Sequence, residues 1–290
     1  MTEGRKRYTV VRAPADPEGQ RAAASRVVEH LAKREHVNNL AAGIAASFAD
    51  GSLYRPDGEL LLAVGDDGEA AAALVMTPPY RVVVGEGNDP LALEALLDDM
   101  LARGVRLPGV VGPEPAASRA AAYLAARLGR EARRKMRQGV YSLERVIPKE
   151  RTAGAVRTAT PADAEVLVPW LAAFYAEAHV DTGTPEHSFR GFVESAYRRL
   201  YVFEVDGQPV CIAGLGARTP RGRRVGPVYT PPEHRRRGYA ESLVAKVSQD
   251  ALDAGNEFVF LFTDLDNPTS NAVYERVGYV RVAEASEYDL

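Results

Sequence analysis

Two periods of apolar positions follow one another along this chain, and their order is nearly the same in its two halves. In the C-terminal half, Ala155–Ala159 reads as a short strand leading into Thr160-Pro161-Ala162-Asp163, a helix start. Thr160 can cap, Pro161 suits the first helical position, and Asp163 favours the positive helix end. Tyr201–Val205 and Val210–Ala217 predict strands separated by the turn Asp206-Gly207, and Arg224–Thr230 predicts another. A helix begins near Gly238, with Ala240, Leu243, Val244, Val247 and Ala251 on one face at helical spacing. Phe258–Thr263 is a near-continuous apolar run, the pattern of a central strand buried on both faces. A last helix over Thr269–Arg276 closes at Gly278, and a final strand follows.

The N-terminal half predicts a strand at Arg7–Arg12, a helix at Arg21–Lys33, and strands at Glu59–Val64, Ala70–Thr77 and Tyr80–Val84. Helix Leu91–Arg103, strand Gly109–Gly112, helix Ala116–Leu128 and strand Gln138–Val146 complete it. Between the halves, Ile147–Gly154 is polar, carries Pro and Gly and lacks periodicity, as a linker does. The expectation is an α/β (α+β) chain of two tandem domains, 1–150 and 151–290. Each is expected as a mixed, mostly antiparallel, twisted sheet flanked by helices, and the common order suggests a diverged duplication.

Composition narrows the function classes. A 46% hydrophobic and 26% charged chain can bury a core, so disorder is not expected. A net charge of −3 argues against nucleic acid as a partner. Cys211 is the single cysteine, which excludes an internal disulfide and a cysteine-rich metal site; its apolar surroundings predict a buried strand position. The basic N-terminus, Met1 to Tyr8, precedes no apolar run of signal length, and no run is long enough to span a bilayer, so cytoplasm is the expected location.

One segment carries chemistry. Val228-Tyr229-Thr230 ends a strand, Pro231-Pro232 bounds a loop, and Arg235-Arg236-Arg237-Gly238-Tyr239-Ala240 opens a helix. A helix N-terminus presents unpaired N–H groups and a positive dipole end, and so accepts anions. Gly238 removes a side chain where a phosphate would approach, and the arginines add charge. These features predict a phosphate-bearing ligand. No Walker loop and no Rossmann fingerprint is present. Asn267, Ser270, Asn271 and Tyr274 fall on one face of the last helix, a polar stripe beside Ala272, Val273 and Val277.

Arg235-x-x-Gly238-x-Ala240, followed by Phe262 to Tyr279 with its asparagine-headed loop, tyrosine-bearing helix and Gly-aromatic close, resembles the two signatures of the GNAT acetyltransferase superfamily, in its FR47-like branch. The resemblance covers roughly 155–290. It implies tandem GNAT-like domains, with acetyl-CoA as cosubstrate and a primary amine of a small molecule or peptide as acceptor. The amine attacks the thioester directly while both substrates are held in one cleft. It further implies that Val228, Tyr229 and Thr230 hold the pantetheine arm and polarise the thioester. Arg235, Arg236, Arg237, Gly238, Tyr239, Ala240 and Asn267 then bind the cofactor, with Tyr274 as general acid. Glu177, His179 and Glu204 are open candidates for the base. No metal is expected, and a homodimer is entertained.

The N-terminal half resembles the family in element order alone. Its loop Val84–Pro90 has glycines but carries Glu86 and Asp89 instead of arginines, and Ala125 stands where Tyr274 stands in the other half. This half is expected to bind no cofactor and to support acceptor recognition. The competing reading is a non-catalytic acyl-CoA sensor.

Overall fold

Short strands and helices alternate through the computed structural model, which describes residues 7–150, 152–178 and 186–290, with the side chains of 186–189 left aside. His179 and the basic residues 1–6 lie outside the described residues. The first half runs β1 (Tyr8–Arg12), α1 (Pro17–Ala32), α2 (Glu35–Ala49), β2 (Glu59–Gly65), β3 (Ala70–Met76), β4 (Val82–Val84), α3 (Pro90–Ala102), β5 (Gly109–Pro113), α4 (Ala116–Leu128) and β6 (Arg133–Leu143). The second runs β7 (Ala155–Thr158), a 3₁₀ turn, α5 (Ala164–Glu177), α6 (Glu186–Ala196), β8 (Leu200–Val205), β9 (Gln208–Arg218), β10 (Gly222–Tyr229), α7 (Tyr239–Asp253), β11 (Phe258–Asp264), α8 (Pro268–Val277) and β12 (Val280–Asp289). The order strand, two helices, three strands, helix, strand, helix, strand occurs twice.

Two compact units result, and they do not divide at residue 150. The first comprises Met1–Val140, Ala217–Pro220 and Arg281–Leu290; the second comprises Tyr141–Gly216 and Arg221–Val280. The polar segment expected as the boundary is irregular, as its composition predicts, but the division falls inside β6. The last strand of the chain belongs to the first unit, where Ala285–Asp289 pair antiparallel with Pro113–Gly109 of β5. Arg81 meets Asp289 and Glu287, and the Tyr288 hydroxyl donates to Glu114 at 2.7 Å.

In the first unit the strand order is β1-β2-β3-β4-β5-β12-β6. The pairings β1–β2, β2–β3 and β3–β4 are antiparallel, and β4–β5 is parallel. Leu60 and Leu62 of β2 join the core formed with α1 and α2, through Val27, Leu31 and Phe48. Leu61 and Ala63 join the core formed with α3 and α4, through Leu96, Met100 and Leu124. Successive side chains of a strand serve opposite faces, and burying each of these leucines contributes about 1.5–3 kcal/mol.

The second unit repeats this plan, with the order β6-β11-β10-β9-β8-β7. Antiparallel pairs join β7 to β8 and β8 to β9, and a parallel pair joins β10 to β11. One core lies with α7 and α8, through Leu243, Val247 and Val277 against Cys211, Val225 and Val259. The other lies with α5 and α6, through Leu167, Leu171 and Val193 against Val202 and Ile212. Thr160 stands at the N-cap of the 3₁₀ turn before α5, and the Asp163 carboxylate reaches back to it, accepting from the Thr160 N–H at 2.7 Å and its hydroxyl at 2.9 Å. Among the described residues no helix is long and apolar enough to cross a membrane.

Candidate active site

The site grows from the way β10 and β11 part. Their parallel register joins Gly222, Arg223 and Arg224 to Phe258, Val259 and Phe260. It ends there, while β10 continues to Tyr229 and β11 to Asp264. Gly226 in β10 adopts φ 137°, a backbone state side chains avoid, and Pro227 offers no N–H to a ladder. Beyond them the strand reaches the three residues expected to face a thioester.

Their side chains are already engaged within the unit. Val228 is partly buried against the core beneath α7. The Tyr229 hydroxyl donates to Glu177 at 3.3 Å, and its ring lies 6.5 Å from that of Trp170. The Thr230 hydroxyl donates to Cys211 Sγ at 3.1 Å. Cys211 is fully buried, as the sequence predicts, and burial pushes its thiol up to about 12.

Arg235, expected on a diphosphate, instead turns back. Its Nη2 donates to both Glu177 oxygens at 2.8 Å, its Nε donates to the Thr230 carbonyl at 2.8 Å, and its guanidinium carbon lies 5.7 Å from the Tyr229 ring centroid. Both partners are exposed, which makes the pair a weak one. Arg236 and Arg237, also exposed, form no ion pair among the described residues.

Arg236 (φ 62°) and Gly238 (φ 80°) both take left-handed backbone angles, and α7 starts at Tyr239. Its first N–H groups have no intrahelical partner, and Gly238 is exposed beside them. A Cβ on Gly238 would come within 2.4 Å of the Thr152 hydroxyl, which donates to the Arg237 carbonyl at 3.0 Å. Tyr239 and Ala240 contribute through the backbone alone. The Tyr239 ring is buried and stacks on Phe203 at 5.5 Å, and Ala240 packs against the same core. Asn267 likewise serves its own helix as N-cap, accepting from the Ser270 N–H at 3.1 Å.

Tyr274 lies on α8, its ring 6.0 Å from Tyr279 in a T-shaped contact. Among the described residues its hydroxyl has no hydrogen-bond partner. Burial raises its pKa, and the nearby Cys211 acts in the same direction. The polar stripe holds a second such group: Asn271 Oδ1 is buried without a partner among the described residues, while its amide nitrogen donates to the Leu265 carbonyl at 3.5 Å.

The base candidates separate. Glu204 is held by Arg157 at 2.8 Å, which also grips Asp163. Glu177 is the partner of Arg235. His179 lies outside the described residues.

The comparisons bear on this half. Residues 164–279 match the model of the Acetyltransferase (GNAT) family. They form a GNAT-family domain. The wider fold is similar to that of a GCN5-related N-acetyltransferase from Sphaerobacter thermophilus, with TM-score 0.62, 17% identity, and 96% of this chain and 94% of that one covered. It is also similar to a Drosophila protein (TM-score 0.59, 11% identity, 98% of each chain covered). A third likeness is to a GNAT-family acetyltransferase from Colwellia psychrerythraea (TM-score 0.52, 14% identity, 80% of this chain and 81% of that one covered). At these identities the likeness is one of fold. No curated protein matches the chain. In the GNAT-family domain, the basic turn and Tyr274 are parts the sequence resemblance implied. Among the described residues no cluster of three or more His, Cys, Asp or Glu side chains could hold a metal.

The first unit treats the corresponding loop differently. Asn38 clamps it, accepting from the Glu86 N–H at 2.7 Å and donating to the Glu86 carbonyl at 3.1 Å. Asn88 bridges to the backbone N–H and carbonyl of Ala73, and Asp89 caps α3. A Cβ on Gly85 would meet Leu31 at 2.6 Å.

Proposed function

We propose that the second unit transfers an acetyl group from acetyl-CoA to a primary amine, and that the first unit is a GNAT-like repeat without a donor site. The observation that carries this reading is the end of the β10–β11 register at Arg224–Phe260, above a strand that leads straight into the exposed basic turn of α7. Parted strands offer room for a thin acyl arm, and the turn offers N–H groups and cations to a diphosphate. The first unit's loop is built otherwise: Asn38 occupies the N–H and carbonyl of Glu86, and the Glu86 carboxylate, paired with Arg34, sits there.

The donor supplies an acyl carbon bonded to a thiolate leaving group. Arg236, Arg237 and the N–H groups of Tyr239 and Ala240 anchor its phosphates. In this reading the Val228 N–H, the first backbone donor after Pro227, stabilises negative charge on an acyl oxygen. Tyr274, fully protonated at neutral pH, donates to the departing sulfur. Holding amine and acyl carbon together accounts for much of the rate, about 7–11 kcal/mol when orientation is good.

The test is release of free coenzyme A thiol when the whole chain is mixed with acetyl-CoA and a broad set of primary amines. Amine-dependent release supports the reading. Tight acetyl-CoA binding without release for any amine would make the chain a sensor instead.

A further inference from the structure

Arg224 sits where the strands part and has no carboxylate partner among the described residues. It is the last residue of β10 in register with β11. Its Nε is buried and has no hydrogen-bond partner among the described residues. Its guanidinium carbon lies 5.5 Å from the Phe262 ring centroid, and among the described residues no carboxylate pairs with it. Other arginines of the unit are treated otherwise: Arg157 holds Asp163 and Glu204, Arg235 holds Glu177, and Arg276 holds Glu241. Desolvation lowers the Arg224 pKa, with Tyr175 of α5 acting weakly the other way.

The face matters. Val225, the next residue, lies in the core beneath α7 and α8, as do Val259 and Leu261 of β11. Arg224 and Phe262 therefore belong to the opposite face, on the side of Tyr175. The arginine stem runs past Gly216, where a Cβ would sit in ordinary contact with it, 3.4 Å from Arg224 Cδ. Arg224 also stands five residues before the end of β10, which at about 3.3 Å per residue places it some 17 Å along the strand from the segment leading to the phosphate-binding turn. One anion cannot serve both places. Arg224 is partly buried with its Nε shielded from water, and the planar fork of a guanidinium matches a carboxylate in two bonds.

We propose that Arg224 receives a carboxylate carried by the acceptor, so that the substrate class is an amine bearing a carboxylate. The inference rests on the acetyl-transfer reading for the identity of the second substrate. The carboxylate docks on the guanidinium over Phe262, and the amine end of the same molecule points to the gap between β10 and β11. Arg224 is a specificity residue here and takes no part in proton transfer.

The experiment uses the full chain with bound coenzyme A and matched probe pairs: α- and ω-amino acids, the amines left by removing their carboxyl groups, and aminoalkyl phosphates of equal length. Binding is followed by calorimetry and by the fluorescence of Trp170, the single tryptophan. The expected result is at least about tenfold tighter binding of a carboxylate-bearing probe than of its decarboxylated partner, a preference lost in Arg224→Gln and weakened in Arg224→Lys. Donor affinity should not change. Thermal melting guards against misfolding: Arg224→Gln should melt no lower than the parent without ligand, since it removes a partly buried charge that has no carboxylate partner among the described residues. Equal binding of the decarboxylated amines, no binding of any probe, a preference for the phosphates, or retention of the preference in Arg224→Gln would each overturn the proposal. Thiol release only with amines lacking a carboxylate would leave acetyl transfer standing and remove this inference; a carboxylate preference without thiol release would do the reverse.

Discussion

Tyr274 and the arginine turn show how side chains of one motif divide their work. Burial holds the Tyr274 phenol above its ordinary value, so it keeps its proton across the usual assay range. Tyr274→Phe removes only a hydroxyl that has no partner among the described residues. Melting should hardly change, while kcat for acetyl transfer falls about 10²–10⁴-fold with KM little affected. The parent's kcat should show no loss from phenol ionisation up to about pH 10. Of the three arginines, sequence alone cannot say which is free; the Glu177 carboxylate decides that by binding Arg235. Replacing Arg236 and Arg237 with alanine should weaken acetyl-CoA binding about 10–100-fold, less so at high salt, as measured by calorimetry. Gly238→Val should fail for two reasons that sequence reading merges: its φ of 80° and the 2.4 Å approach to Thr152.

Elements were legible where a cap or a clean period marked them. Thr160 and Asp163 announce α5, and Gly129 and Gly278 close α4 and α8 in left-handed conformations. The same network sets a pH dependence. The Arg157 guanidinium, helped by Thr160, holds the Asp163 carboxyl down to about 2. A depressed folded pKa stabilises above the unfolded value and loses that contribution as pH falls through the folded one. Asp163→Asn should therefore cost about 1–2 kcal/mol in urea unfolding at pH 7, with the gap closing between about pH 4 and pH 2. Helices α2 and α6 went unread. In α2, Ala41, Ala42, Gly43 and Ala45 are all buried, which erases a one-sided period, and Arg34 supplies no side-chain cap. In α6, Gly191, His187 and Ser188 interrupt the pattern. The start of β6 was missed because Arg133, Arg134 and Lys135 are exposed strand residues that read as a solvated run.

At the scale of the molecule, order along the chain was readable but membership was not. A strand's partner depends on contacts distant in sequence, and nothing local in Val280–Asp289 says that it completes the first unit beside β5. The same holds for Tyr141 and Leu143, which belong to the core of the second. Cutting at residue 150 thus deprives 1–150 of β12 and 151–290 of β6 beside β11. Each fragment made alone should expose a bare strand edge and lack the cooperative urea transition of the whole chain. Arg224 escaped sequence reading for a related reason: an arginine in a strand looks like a solvent-facing residue until its neighbours are known.

A single acyl-donor site at the start of α7 can be counted by calorimetric titration of the whole chain with acetyl-CoA. The expected result is one site per chain, greatly weakened when Arg236 and Arg237 become alanine and unchanged by Glu86→Gln in the first unit's loop. Two sites of comparable affinity, or binding that survives the loss of both arginines, would contradict it.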